Sequence, residues 1–537
     1  MDHHSVELQL RLPETIKRMD AFTAQLIIRS CCGQPLEGLT LRLTLPQTLA
    51  LSSGETVRTL DPLMPGTAAG LPLELLALAG GRRMLSVSLE CADFRRTWHF
   101  PVDISGRGVY SGDNHTHSTY SDGSASPEEN AAGAYRNWNN SWIIFSEHNN
   151  DAQKALLPEI AAQYNGNFLP LSATEITTGY IYHNPPTPSG EKRGHALAYA
   201  YPGLPRLVID GPDGAFTWQS SIDQVMQSGG MFFIAHPYDQ TYPFETPERW
   251  RDYTGIEVWN GSAHALAEAN QRSFALWDRR NMLGGRHYSG IAGTDGHSAR
   301  RVGSLFTRAE LGALTPAEVR SALENCRCCG SNGPDLHLRI NGASLGQTVR
   351  LAGPGMVRIE YEAFSPYADL TLLRILSCPV TGKDEDPIPH RRTVFSLSLD
   401  GGWVHGAVCV PVDTPTFFRM EVTSRRSFRS GTPICPEADT GFAFTNPIWV
   451  ELDGTEPEAF TPELFYGGEP LDITPERYRV RSISVGGSFD PALLTVKNAA
   501  FSVCFTPVSG ETLEGLLELT VSVGTRSVRE TLLVRHK

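Results

Sequence analysis

The pattern of hydrophobic and polar positions changes three times along the chain. Over residues 1–106 short apolar runs alternate with polar residues: VELQLRL, AFTAQLIIRS, LTLRLTLP and MLSVSLECADF. A two-residue period marks a half-buried strand, and no stretch here keeps a helical period. A small N-terminal β-sandwich is expected. Over residues 107–333 the period switches back and forth. SWIIFSEHNN, NFLPLSATEITT, GHALAYAYP, MFFIAHP, GIEVWNG and YSGIAGTDGHS read as strands, with helix signals between several of them. Ser126-Pro127-Glu128-Glu129 is a capping box with proline at the first helical position, followed by Ala131, Tyr135 and Trp138 at helical spacing. SSIDQVMQSGG and ANQRSFALWDRRNMLGG each end on a glycine pair, a helix stop, and Thr315-Pro316-Ala317-Glu318 opens a further helix. Strand–helix alternation of this kind predicts an α/β domain with a parallel sheet, most simply a barrel. From residue 334 the strand pattern returns in LHLRING, GMVRIEYEAF, LTLLRIL, TVFSLSLD, FFRMEVTS and NPIWVEL. It predicts a second sandwich over 334–452 and a small β module over 453–537.

Composition narrows the class of function. The 537 residues carry 46 Lys and Arg against 59 Asp and Glu, a formal charge of −13. That balance argues against strong non-specific binding to nucleic acid or to an anionic membrane. No apolar run approaches the roughly 18 residues of a membrane-crossing helix. The start, MDHHSVELQLRLPE, has no continuous apolar stretch of the signal-peptide kind, so a cytoplasmic protein is expected. The ten cysteines include Cys31-Cys32 and the crowded Cys326, Cys328 and Cys329. Without a secretory signal they read as reduced thiols, and C-x-C-C lacks the paired C-x-x-C knuckles of a structural zinc site.

The chemistry concentrates in residues 107–333, which hold nine of the sixteen histidines. His148 follows WIIF, Glu175 follows FLPLSA, His195 opens ALAYAY, His236 follows MFFIA, and Asp295 and His297 follow SGIAG. His115, His117 and Asp122 precede the first capped helix. Polar groups just past the C-terminal ends of parallel strands converge at one mouth, where α/β barrels build active sites. Neutral imidazoles and carboxylates are ligands of Zn, Mn and Fe. A single strand-end histidine is more often structural than a ligand; the ordered set is what points to metal.

GDNHTHSTYSDG, FSEHN, ATEITT, GHALAY, IAHP and GTDGH resemble the successive motifs of the polymerase and histidinol phosphatase (PHP) family of metal-dependent hydrolases. The long insert before GHALAY, the EVWNG strand and CGSNGPDLHLRING leading to TNPIWV resemble the branch named for carbaryl hydrolase. The resemblance implies a distorted (β/α)7 TIM-like barrel, flanked here by all-β modules, with three divalent ions (Mn, Zn or Fe). By motif, the first ion would take His115, His117, Glu175 and Asp295. The second would share Glu175 and add His195 and His236, and the third would take Asp122, His148 and His297. The family also implies a hydroxide bridging two ions as nucleophile, with Glu175, Asp295 and His236 as catalytic positions. Glu147 and Asn114 depart from the usual family residues, and His183 competes with His195 for its place.

Three functions follow. A phosphoesterase, acting on a phosphomonoester or phosphodiester such as a nucleotide or short oligonucleotide, stands first. A carbamate, ester or amide hydrolase is the alternative. A binding or scaffolding protein with a secondary metal domain is the third. A phosphate would want cationic clamps, for which Arg193, Arg300 and Arg301 are placed in sequence. An aryl carbamate would want an aromatic slot, for which Tyr180, Tyr182, Trp218, Phe244 and Trp259 are candidates. Glu257 and Asn260 end another strand and divide evenly between substrate contact and packing. Asp239, His264 and His287 read as structural or surface residues. The sequence gives no oligomeric state.

Overall fold

The computed structural model describes residues 6–16, 21–46, 49–77, 81–92, 94–104, 108–164, 166–178, 194–200, 218–244, 246–261, 264–365, 368–427 and 440–453, and backbone strands beyond residue 470. Its contacts divide the chain into two compact units. One holds residues 1–109, 401–406 and 463–537, and the other 110–400 and 407–462.

In the first unit, Val6–Arg11, Ala21–Ser30, Ala68–Ala77 and Leu49–Leu51 form one four-stranded sheet. Val57–Thr59, Thr40–Thr44, Gly81–Cys91 and Phe94–Ile104 form another. Leu26, Ile28, Leu73 and Leu75 of the first share one core with Leu41, Leu85, Val87 and Leu89 of the second. The two-residue period explains this: Leu85, Val87 and Leu89 point inward, while Ser86 and Ser88 bond His99 and Thr97 on the outer face. The strands that follow residue 470 are described by their backbone alone. They include the long hairpin of Leu513–Val523 and Arg526–His536.

The second unit is α/β and sheet-rich. A 15-stranded sheet runs through Ser289–Gly293, Gly255–Asn260, Met231–Ile234, Gly194–Tyr199, Leu169–Thr178, Trp142–His148, Gly108–Thr116, Phe306–Leu311 and Cys328–Ser331. It continues into Gly441–Thr445, Thr416–Ser424, Leu370–Pro379 and Arg392–Gly401. Strands from the stretch read as a separate sandwich therefore belong to the same sheet. Trp142–His148 is parallel to both neighbours, and Gly255–Asn260 likewise. Three of the parallel steps carry helices, Pro127–Trp138, Leu157–Ala162 and Glu268–Met282, the usual crossover, while the step from Met231–Ile234 to Gly255–Asn260 has none among the described residues. Helices Trp218–Gln227 and Pro316–Glu324 complete the set among the described residues. Ser126 and Glu129 form the reciprocal cap, and Thr315 caps Glu318 N.

Among the described residues the seven-stranded barrel implied by the resemblance is not closed. Gly194–Tyr199 runs antiparallel to both neighbours, and the path of strands stays open. The reason lies at the outer edge of Ser289–Gly293, where side chains take the place of a ladder. Asn446 bonds the N–H and the carbonyl of Gly290, both at 2.8 Å. The Thr307 hydroxyl accepts from Ala292 N at 3.0 Å and donates to Ala292 O at 2.9 Å. The Asp113 carboxylate accepts from Thr294 N at 2.9 Å. With these groups satisfied the edge needs no further strand. An isolated bridge, Thr116 to Gly296, also crosses the gap, where His117 N donates to Gly296 O at 2.9 Å. Among the described residues no helix is long and apolar enough to cross a membrane.

Candidate metal centre

The strand ends bring all nine residues of the expected ligand set into one cluster. His115 lies on Gly108–Thr116 and His117 just past it; His148 ends Trp142–His148, Glu175 lies on Leu169–Thr178, and His195 on Gly194–Tyr199. His236 lies just past Met231–Ile234, and Asp295 and His297 just past Ser289–Gly293. Their ligand atoms form four overlapping groups, each within 4.8 Å: His117, Asp122, His148 and His297; His115, His117 and Glu175; His115, His236 and Asp295; His148, Glu175 and His195. The grouping differs from the one carried over by motif. His236 joins His115 and Asp295, and His148 joins Glu175 and His195.

Glu175 is the hub. Its Oε1 lies 2.9 Å from His195 Nδ1, 3.1 Å from His236 Nε2 and 3.3 Å from His115 Nε2. Its Oε2 lies 3.0 Å from His148 Nδ1 and 3.3 Å from His117 Nε2. Asp295 Oδ1 lies 3.1 Å from His117 Nε2 and 3.4 Å from His115 Nε2. Atoms bound about 2.1 Å from one ion stand about 3.0 Å apart in an octahedron and about 3.4 Å apart in a tetrahedron, the range seen here. Despite these approaches, His115 Nε2, His117 Nε2, His195 Nε2, His236 Nδ1 and Glu175 Oε2 are buried and make no hydrogen bond. Buried polar atoms seldom go without a partner, so this donor set fits divalent cations.

The electrostatics call for positive charge. Burial opposes ionisation of Glu175 and Asp295, but the surrounding imidazoles outweigh it and hold both carboxyls well below their usual range. Burial likewise opposes charging of His115, yet Asp295, Glu257 and Glu175 raise its pKa well above the ordinary value. His148 is pushed up to about 10, burial being overcome by Glu175 and Asp122. His195 moves the other way because desolvation prevails over Glu175. Two of the residues are strained: His236 has φ 26° and Asp295 φ 50°. Left-handed backbone at non-glycine residues costs of order 1–3 kcal/mol and collects at functional sites.

The remaining candidates fall into place around this cluster. Asn260 Nδ2 donates to Glu257 Oε2 at 3.1 Å and lies 3.3 Å from Asp295 Oδ2. Arg301 is exposed and holds the carbonyl of Gly261 at 3.0 Å, while Arg300 is exposed on the same turn. Trp218, Phe244 and Trp259 are buried in the hydrophobic core. Asp239 closes a local turn onto Thr241 N and Tyr242 N. His264 bonds the carbonyl of Thr440. His287 lies flat on Trp449, 3.5 Å between ring centres, and burial lowers its pKa to about 4. Cys326, Cys328 and Cys329 are buried, and burial raises all three thiols, so they are inert. Tyr180, Tyr182, His183 and Arg193 lie outside the described residues.

Of the supporting residues, Thr177 and Tyr242 carry no sequence signal of their own. Glu257, evenly divided at the sequence level, is fully buried behind His115: its Oε1 lies 3.0 Å from His115 Nδ1, and its Oε2 accepts from His236 N at 3.0 Å. Thr177 Oγ1 lies 2.6 Å from His148 Nδ1. Tyr242 stacks on His195 with ring centres 5.0 Å apart. Carboxylate and hydroxyl partners of this kind orient metal-binding imidazoles. A strand-end Glu in GIEVWNG was the one hint available in the sequence.

No protein-family profile matches the chain, and no curated protein matches it. Similar solved structures include an amidohydrolase from Chromobacterium violaceum with bound sulfate and no metal: 19% identity over 36% of this chain and 89% of that one, TM-score 0.26. A protein from Bifidobacterium adolescentis provisionally called a metal-dependent phosphoesterase is 16% identical over 40% of this chain and 95% of its own, TM-score 0.25. The lesion-specific endonuclease EndoQ of Pyrococcus furiosus is 15% identical over 40% of this chain and 56% of its own, TM-score 0.26. At these scores the likeness carries no weight, and the chemistry rests on the geometry of the site.

Proposed function

We propose that the chain is a metal-dependent hydrolase and that its substrate is a phosphoester. The observation that carries this reading is Glu175: one buried carboxylate faced by five imidazoles, two of which, His115 and His117, turn toward it a nitrogen that makes no hydrogen bond. The nine residues would hold up to three divalent ions, Mn, Zn or Fe. Such ions supply Lewis acidity and an acidified water. Around them the chain's own groups do the rest. Glu175 gathers the histidines into one sphere. Asp295, 20% exposed, would serve as a ligand on the open side of the cluster, and Asn260 fixes its second oxygen. Arg301 at the rim can grip phosphate oxygens as the phosphorus–oxygen bond to the leaving group breaks. The phosphoester is favoured over an aryl carbamate because three of the aromatic slot candidates are consumed in the core.

The test is a hydrolysis panel on manganese-loaded protein with a phosphomonoester, a phosphodiester and an aryl carbamate. Phosphoester turnover that disappears on chelation, and in Glu175→Ala together with bound metal, is expected. His264→Ala should keep both. Carbamate turnover without phosphoester turnover would move the protein to the alternative, and silence with metal bound would favour the binding role.

A further inference from the structure

Glu147 is a fully buried carboxylate that the proposed chemistry does not use. It ends its strand beside His148 and faces the turn that carries Asp122. Oε1 accepts from Ser118 N at 3.0 Å and from Ser118 Oγ at 2.5 Å. Oε2 accepts a short bond from Ser121 Oγ. Ser121 Oγ lies in turn 3.3 Å from His117 Nδ1, and Nε2 of that ring faces Glu175 and Asp295.

A hydroxyl has one proton to give. Ser121 gives its proton to Glu147, so toward His117 it can only accept. His117 must then carry its proton on Nδ1, which leaves Nε2 bare and turned to the cluster. We infer that Glu147 is a positioning residue that acts through Ser121 to fix the tautomer of His117, so that its inward nitrogen is the ligand. The inference rests on the metal-centre reading. It differs from a plain tether because a tether would serve with either tautomer. The turn is tightly built for the purpose: a Cβ at Gly123 would lie 2.4 Å from His117 O, so the chain passes too close for any side chain.

Substitution separates the two roles. In Glu147→Gln the amide N–H can donate to Ser121 Oγ, which frees the hydroxyl proton for His117 Nδ1 and moves the ring proton to the inward Nε2. Ser121→Ala removes the relay and leaves the Ser118 bonds to Glu147 in place. Ser118→Ala loosens the tether and leaves the relay intact. Full-length protein labelled with 15N-histidine, freed of metal and held at a pH where the ring is neutral, reports the His117 tautomer by long-range 1H–15N correlation. Zinc affinity is measured in parallel by competition with a chelator. The expected result is an Nδ1–H ring in the wild type and in Ser118→Ala. Glu147→Gln and Ser121→Ala should show a shift toward Nε2–H and an affinity about 10–100-fold lower, the usual effect of losing such a partner. An unchanged tautomer and affinity in both relay variants would overturn the inference. A wild-type protein that binds no zinc would instead overturn the metal-centre reading, while the tautomer would still report on the relay. Should Glu147→Gln fail to fold, Ser121→Ala decides alone.

Discussion

Glu257 Oε1 lies 3.0 Å from His115 Nδ1, and the same carboxylate holds the backbone N–H of His236 through its other oxygen. One buried group thus orients two members of the cluster that come from distant strands. With a metal bound, the contact would hold the His115 proton on Nδ1 and leave Nε2, which faces Glu175 and Asp295, to the ion. Glu257→Gln keeps the shape and removes the charge. It should lower metal affinity about 10–100-fold, read by chelator competition, with an unchanged near-UV spectrum. Affinity equal to the wild type would remove Glu257 from the site.

Gly293 sits against this pair. A Cβ there would lie 2.7 Å from His115 Cβ and 2.9 Å from Glu257 Oε1. Gly293→Ala should therefore displace the pair and lose bound metal. Gly353→Ala, where a Cβ meets nothing within 4 Å, should retain it. Elemental analysis after gel filtration distinguishes them.

Away from the cluster, His337 Nδ1 lies 3.0 Å from Glu310 Oε1, and Asp335 pairs with Arg308 at 2.8 Å. Burial works against charging His337, but Asp335 and Glu310 raise its pKa from 6.5 to about 10. A raised pKa stabilises the fold fully below the unfolded value and loses that contribution as pH climbs through the folded value. The stability gap between wild type and His337→Gln should thus be widest below about pH 6.5 and fade toward about pH 10. Urea unfolding at both ends measures it. A gap that widens with pH would contradict the assignment.

Strands beyond residue 334 are locked to helix Glu268–Met282 by charge. Asp278 meets Arg419 through two bonds of 2.9 and 3.0 Å, and both groups are buried. Asp278→Asn leaves the guanidinium with Glu421, 2.6 Å away, as its one carboxylate partner and should still cost more than the roughly 1 kcal/mol of an exposed pair in denaturant unfolding. A loss under about 1 kcal/mol, the scale of an exposed pair, would mean the contact is solvated.

Much of this site was legible from strand-end spacing. A polar residue at the end of an apolar run has few places to go, and His115, His117, Asp122, His148, Glu175, His195, His236, Asp295 and His297 meet as that logic requires. The cap of Ser126 and Glu129 was legible for the same reason, because both partners lie within one turn. Strand direction was not. GHALAY reads as a buried strand in either orientation, and it proved antiparallel to its neighbours. Nor was the open edge of Ser289–Gly293, which depends on Asn446, a residue 156 positions from Gly290. Trp218 and Phe244 lie between motifs and Trp259 within EVWNG, and nothing local separates a slot aromatic from a core one. Glu257 and Ser121 act through partners that only the fold supplies.

The most direct test is the metal itself. Full-length protein is stripped with chelator, reloaded with manganese, passed through gel filtration and assayed for bound ion and phosphodiester turnover together. More than one ion retained per chain, with turnover that rises as the ions return, is the predicted result. A chain that retains no ion, or one whose turnover is indifferent to chelation, would contradict the account.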